Sequence, residues 1–162
     1  MNTREAHNLA LKLMAEHGLL SPTQGFRELT DAPWTFEWSN AKRAFGSCSY
    51  RTNTITLSKP LTRLNDELAV TDTILHEIAH ALTGPNKGHG REWQLMCIKV
   101  GAKPNRCAGA DTVTPKYKYL LECPACLMTW GRHRVASRIR RGGFRHNCAK
   151  NTTNESIKVK KA

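Results

Sequence analysis

The chain has 162 residues, 40% of them hydrophobic and 23% charged, which is enough for one domain with a real core plus a small appendage and is an ordinary composition for a soluble globular protein. No stretch approaches the roughly 18 apolar residues of a membrane span, and Glu5 and Glu16 interrupt the N-terminal apolar spacing, so neither a membrane partner nor a secretory signal is expected and the cytoplasm is the expected location. The formal charge of +12 is uneven: residues 1–114 hold 13 Lys and Arg against 11 Asp and Glu, whereas residues 115–162 hold 12 against 2, a clustered field that attracts polyanions, nucleic acid foremost.

In chain order, residues 3–17 read as an amphipathic helix with Ala6, Leu9, Ala10, Leu13 and Met14 on one face, closed by Gly18. A loop with Pro22, Gly25 and Pro33 follows. Trp34, Phe36 and Trp38 then alternate with Thr35 and Glu37 as strand residues do. Residues 43–50 and 54–58 read as two further strands joined by the turn Arg51-Thr52-Asn53, so the expectation is a small antiparallel sheet in an α+β core. The next segment is a helix with Asn65 as its N-cap and Asp66 and Glu67 at the positive end of its dipole. Leu68, Ile74, Leu75, Ile78, Ala79 and Leu82 form its apolar face, and Gly84-Pro85 stops it. Residues 90–100 form another helix that buries Trp93, Met96, Cys97 and Val100. Residues 101–117 are rich in Gly, Pro, Ala and Thr. The expected organisation is a core over 1–105, a linker over 106–117, a small metal-stabilised module over 118–150 and a basic, disordered tail over 151–162.

Six cysteines are present. Without a secretion signal a disulfide framework is not expected. Cys123 and Cys126 form a close pair suited to a metal. Cys48, Cys97 and Cys107 show no ligand spacing, and Cys48 and Cys97 read as small buried hydrophobes.

The chemistry is concentrated in His76-Glu77-Ile78-Ala79-His80. Residues four apart lie on one helix face, so both imidazoles can reach one ion. Glu77 sits about a hundred degrees round the helix, where it can touch a water on that ion without ligating it. This is the HExxH arrangement of zinc peptidases. The stop at Gly84-Pro85 lets the chain turn back and bring His89 to the ion, giving the three protein ligands and one open position of a catalytic zinc. Glu77 is then the general base.

The run DTILHEIAHALTGPNKGHGREW, residues 72–93, resembles the signature of the SprT-like metalloproteases: HExxH, a third histidine in a His-Gly pair and then an aromatic, here His76, Glu77, His80, His89, Gly90 and Trp93. AFGSCSYRTNTITLS, residues 44–58, is similar to the strand pair of that family, and the resemblance covers roughly residues 5–150. The small bacterial and phage-encoded members are the most similar. The resemblance implies a compact zincin-type core followed by a zinc ribbon. The Spartan proteases, eukaryotic relatives, cleave proteins crosslinked to DNA, so proteolysis of DNA-bound or DNA-crosslinked proteins is what the resemblance implies here.

Cys123-Pro124-Ala125-Cys126 reads as the first knuckle of a zinc ribbon, because a Cys-x-x-Cys turn aims two thiolates at one ion, and a module this short needs the free energy of metal binding to fold. Cys148 is the third expected ligand of this structural zinc. His146 is the choice for the fourth, with His133 as the rival. Arg132, Arg134, Arg138, Arg140, Arg141 and Arg145 run between the knuckles, interleaved with Trp130, His133 and Phe144. Arginines bind phosphates and aromatic rings stack on unpaired bases, so single-stranded or nonspecific DNA is the expected partner, with Lys158, Lys160 and Lys161 adding attraction. Two functions follow as expectations: a DNA-associated zinc endopeptidase, or a nucleic-acid-binding regulatory factor whose zincin core is structural or weakly active.

Overall fold

Helix α1 (Thr3–Glu16) begins at a reciprocal cap: the Asn2 side chain accepts from the Arg4 and Glu5 backbone N–H groups, and the Glu5 carboxylate accepts from the Asn2 N–H. It buries Ala6, Ala10 and Met14, spaced four apart on one face, and Gly18, at φ +71°, turns the chain away. The structure is a computed structural model that describes residues 1–20, 32–106, 112–151 and 155–162. The expected loop positions Pro22 and Gly25, and Cys107, lie outside the described residues.

Strands β1 (Thr35–Ser39), β2 (Gly46–Ser49) and β3 (Thr54–Ser58) form one sheet in the order β1-β3-β2. β2 and β3 make the expected antiparallel hairpin, with Asn53 in the left-handed region of its turn. β1, however, pairs with β3 in parallel, so the sheet is mixed and not antiparallel. β3 is the central strand, buries Thr54, Ile55, Leu57 and Ser58, and has its backbone groups paired on both edges. β1 takes the edge opposite β2, and the two flanking strands run in opposite directions. Alternation in a sequence reports which face is buried and carries no strand direction.

Ser58 ends β3 and starts α2 (Lys59–Leu64), its hydroxyl accepting from the Leu61 N–H at 3.2 Å. Asn65 ends this short helix instead of capping the next one. Its side chain donates to the Leu61 and Val113 carbonyls and accepts from the Val113 N–H. Asp66 is the N-cap of α3 (Glu67–Thr83), accepting from Ala69 at 2.9 Å. α3 packs Val70, Ile74 and Ile78 into the core, and α4 (Arg91–Val100) adds Trp93, Cys97 and Val100. The Lys103 N–H donates to the Asp72 carboxylate, and Asn65 holds Val113. The bond to Val113 ties residues past 105 to the core, and the first compact unit runs to Pro115.

The second unit, Lys116–Ala162, is built on strands β4 (Tyr119–Glu122), β5 (Thr129–Arg132) and β6 (Lys158–Lys161) in the antiparallel order β5-β4-β6, with a short helix α5 (Ser137–Arg140). Leu121, Val135 and Ile157 are its buried centre. β6 corrects the expectation of a disordered tail over 151–162. Val159 pairs with Leu121, and Lys160 reaches Glu122 at 2.7 Å. Ile157 and Val159 alternate with lysines, a strand period hidden in a run whose average is polar. Among the described residues no helix is long and apolar enough to cross a membrane.

Candidate metal centres

His76 and His80 stand one turn apart on α3. His89 arrives from the α3–α4 loop, which doubles back through positive φ at Gly84, Asn86 and Gly88; two of these are glycines, which adopt that region at no steric cost. His89 Nε2 lies 3.2 Å from His80 Nε2 and 3.4 Å from His76 Nε2. Nitrogens bound to one tetrahedral zinc stand about 3.4 Å apart, given bonds of roughly 2.0–2.1 Å, so the donor set fits that ion. Burial, then the neighbouring His89, lowers the His76 pKa; burial and the two other imidazoles bring His80 down to about 4; burial and Arg106 lower His89. The rings are therefore neutral at pH 7, the form that binds a metal.

Trp93 is the floor of this cluster. It is fully buried, and its ring centroid lies 4.8, 5.1 and 4.6 Å from those of His76, His80 and His89. The Tyr50 hydroxyl donates to the His80 carbonyl at 2.7 Å, fixing α3 against the end of the β2–β3 hairpin.

Glu77 is buried on the side of α3 that faces β2, and burial pushes its carboxyl up to about 8. The space it occupies exists because residue 46 is glycine: a Cβ there would stand 2.7 Å from Glu77 Oε1. All four residues line a cleft of about 680 Å³, with Gly46 and Cys48 of β2 on one wall and Arg43 and Arg106 also on its lining. Cys48 is thus half-buried and borders the cleft, unlike the buried residue expected from the sequence. Cys97 is fully buried, and burial together with Asp72 raises its thiol to about 11, an inert group. Sequence reasoning missed Gly46, Tyr50, Arg43 and Arg106. Only Gly46 left a signal, since a glycine inside a strand marks a close approach.

In the second unit the donor atoms of Cys123, Cys126, His146 and Cys148 all lie within 4.8 Å of one another. Cys123 Sγ is 3.9 Å from Cys148 Sγ, and Cys126 Sγ is 3.3 Å from His146 Nδ1. Thiolates on a tetrahedral zinc stand about 3.8 Å apart, so this set fits as well. The chain brings His146 and not His133 to the cysteines; the His133 ring lies 4.8 Å from that of Tyr117. Both clusters could hold a metal ion.

The six arginines are exposed. Arg140 donates to the Tyr119 hydroxyl and lies over its ring, Arg138 donates to the Gly143 carbonyl and Arg132 to that of Gly131. Trp130 is half-buried against the small core, 5.4 Å from His146, and Phe144 is exposed.

The model of the SprT-like family matches residues 20–114. Protein SprT of Shewanella oneidensis is 30% identical over 122 residues, covering 70% of this chain and 76% of that protein. Protein SprT of Pseudomonas aeruginosa is 37% identical over 81 residues, covering 44% of this chain and 49% of that protein, so the match spans about half the length of this second relative. Among solved structures, the metallopeptidase zymogen jannalysin of Methanocaldococcus jannaschii overlaps with a TM-score of 0.43 at 19% identity, covering 58% of this chain and 79% of that one, a likeness too slight to bear on the site. The matched segment holds both the β2–β3 hairpin and the three-histidine cluster, and the chain belongs to the SprT-like family.

Proposed function

We propose that the first unit is a zincin-type zinc endopeptidase and that the second is a zinc ribbon that brings it to DNA, so that its substrates are cytoplasmic proteins bound or crosslinked to DNA. The observation that carries this reading is the convergence of three neutral imidazole nitrogens, 3.2 and 3.4 Å apart, with a buried carboxyl on the same open cleft. His76, His80 and His89 would hold the ion, and a catalytic zinc supplies a Lewis acid for the scissile carbonyl and a water acidic enough to attack near neutral pH.

Glu77 takes the proton of the attacking water and passes it to the leaving amine. Its desolvated position suits both halves of that task. A carboxyl raised to about 8 holds a proton readily, and the dication that the histidines would hold would favour its ionised form before attack. β2 is an edge strand of its sheet and lines the cleft, so an extended substrate segment can pair with it as an added strand beside Glu77.

The role of the second unit rests on the donor set of Cys123, Cys126, His146 and Cys148 and on the 12 Lys and Arg against 2 Asp and Glu of residues 115–162. Attraction of that kind is sequence-independent and weakens steeply with salt. Arg132, Arg138 and Arg140 already donate to groups of the same unit, whereas Arg134, Arg141 and Arg145 are exposed and are the ones we assign to phosphates, with Lys158 and Lys161 adding charge.

The test is cleavage of a DNA-bound basic protein at low salt, with and without single-stranded DNA, by the wild type and Glu77→Gln. Cleavage stimulated by DNA and lost in Glu77→Gln is the expected result. Cleavage indifferent to DNA would remove the DNA role and keep the peptidase. No cleavage by a protein with both metals bound would leave a nucleic-acid-binding factor with a structural core.

A further inference from the structure

The cleft carries two cations that the hydrolytic step does not use. Arg43 lies three residues before Gly46, the residue in contact with Glu77, and all three line the cleft. Arg106 follows α4 and lines the same cleft as His89. Both line the cleft and both are exposed. Among the described residues neither takes part in an ion pair. Among the described residues the cleft lining holds two acids, Asp72 and Glu77. Glu77 is committed to proton transfer, and the Asp72 carboxylate accepts the Lys103 N–H at 2.8 Å. Neither carboxylate pairs with a guanidinium, and both arginines are available to an anionic group of a bound segment.

We infer that Arg43 and Arg106 are specificity-determining residues that select substrate segments carrying Asp or Glu close to the scissile bond. The inference rests on the peptidase reading above and deepens it. A planar guanidinium matches a carboxylate in two parallel hydrogen bonds, which a neutral side chain forms weakly and a lysine opposes. An extended peptide on β2 advances about 3.3 Å per residue, so side chains within a few residues of the cleaved bond come within reach of both walls. The preference also suits a substrate on DNA. Such a protein turns its basic face to the phosphates and leaves its acidic segments outward, where a protease can reach them.

The experiment uses the full chain with zinc bound, as Glu77→Gln to stop turnover and with Arg43→Glu and Arg106→Glu added singly and together. Three fluorescent peptides, identical except for Glu, Gln or Lys flanking one bond, are titrated by anisotropy. The Glu peptide should bind on the order of tenfold tighter than the Gln peptide, the scale of one good charged pair, and the Lys peptide weakest. The double charge reversal should invert that order while metal content and melting temperature stay unchanged. Equal binding of the three peptides, or an order unmoved by the reversal, overturns the inference. So does a single-stranded oligonucleotide that displaces the Glu peptide and itself needs both arginines, because the cations would then serve phosphates. The same peptides offered to active enzyme separate the two readings. Cleavage without preference sinks the selectivity and leaves the peptidase. Selective binding with no cleavage does the reverse.

Discussion

Gly46 lies against Glu77: a Cβ on Gly46 would stand 2.7 Å from Oε1, 2.8 Å from Cγ and 3.0 Å from Cδ of the buried carboxyl side chain. The first residue of β2 is thus shaped around the proposed general base on α3. Gly46→Ala must push Glu77 out of its place. The expected result is loss of at least about tenfold in peptidase activity with zinc retained, and a cost of about 1–3 kcal/mol, the usual scale of overpacking. Adding Glu77→Ala should restore much of the stability and none of the activity. Thermal unfolding of the two single variants and the double gives the coupling directly, and additive losses would show that the two residues do not compete for one space.

Glu77 also makes a prediction about pH in the metal-free protein. Its carboxyl is raised from 4.5 to about 8 by burial. Below about pH 4.5 it is protonated in both folded and unfolded chains and contributes nothing. As pH rises from there toward 8, the unfolded chain releases the proton and the folded chain keeps it, so stability falls, by on the order of 3 kcal/mol at pH 7. Glu77→Gln, which cannot ionise, should melt several degrees above the wild type at pH 8 with chelator present, and at nearly the same temperature at pH 4.5. A gain equal at both values would mean that the carboxyl is not desolvated as its burial implies.

Trp93 touches all three histidine rings from below. Trp93→Phe keeps an apolar floor but shortens it. Packing of this kind limits how the three rings can turn, and its loosening should weaken metal affinity by on the order of tenfold. Trp93→Phe is therefore expected to bind zinc more weakly in a competition assay while the cysteine cluster, more than 25 residues along the chain, keeps its metal. Trp93→Ala should cost the core about 3–5 kcal/mol. Unchanged zinc affinity in Trp93→Phe would reduce Trp93 to a core residue.

The sequence showed most clearly what depends on local spacing. His76 and His80 are set by the helix period, and His89 by a loop that the Gly84-Pro85 stop announces. The sequence offers Asn65 and Asp66 as equally good caps of α3; Asp66 takes the place because Asn65 is held by Leu61 and Val113. α2 was not foreseen, since six residues are too few to show a period. The parallel pairing of β1 with β3 depends on which edge of the sheet is vacant, and no local pattern records that. Arg43 and Arg106 lie 63 positions apart in the sequence, and only folding puts them on one cleft.

The polar, basic composition of residues 151–162 predicts a disordered tail, and the structure makes residues 155–162 part of the second unit. β6 pairs along all of β4, Ile157 is buried beside Leu121 and Val135, and Lys160 meets Glu122. A unit this small has little core to spare. Deleting residues 155–162 removes one of three strands and a third of its buried centre. The cysteine site should then lose affinity, because metal binding and folding are coupled in such modules. Cobalt(II) titration reads this through thiolate-to-metal absorbance, and Ile157→Asp should reproduce the loss without removing a single lysine. The three-histidine unit should melt as before. If the truncated chain takes up cobalt as tightly as the full chain, β6 is dispensable and the lysines act only through their charge; a matching loss in Ile157→Asp assigns the effect to packing.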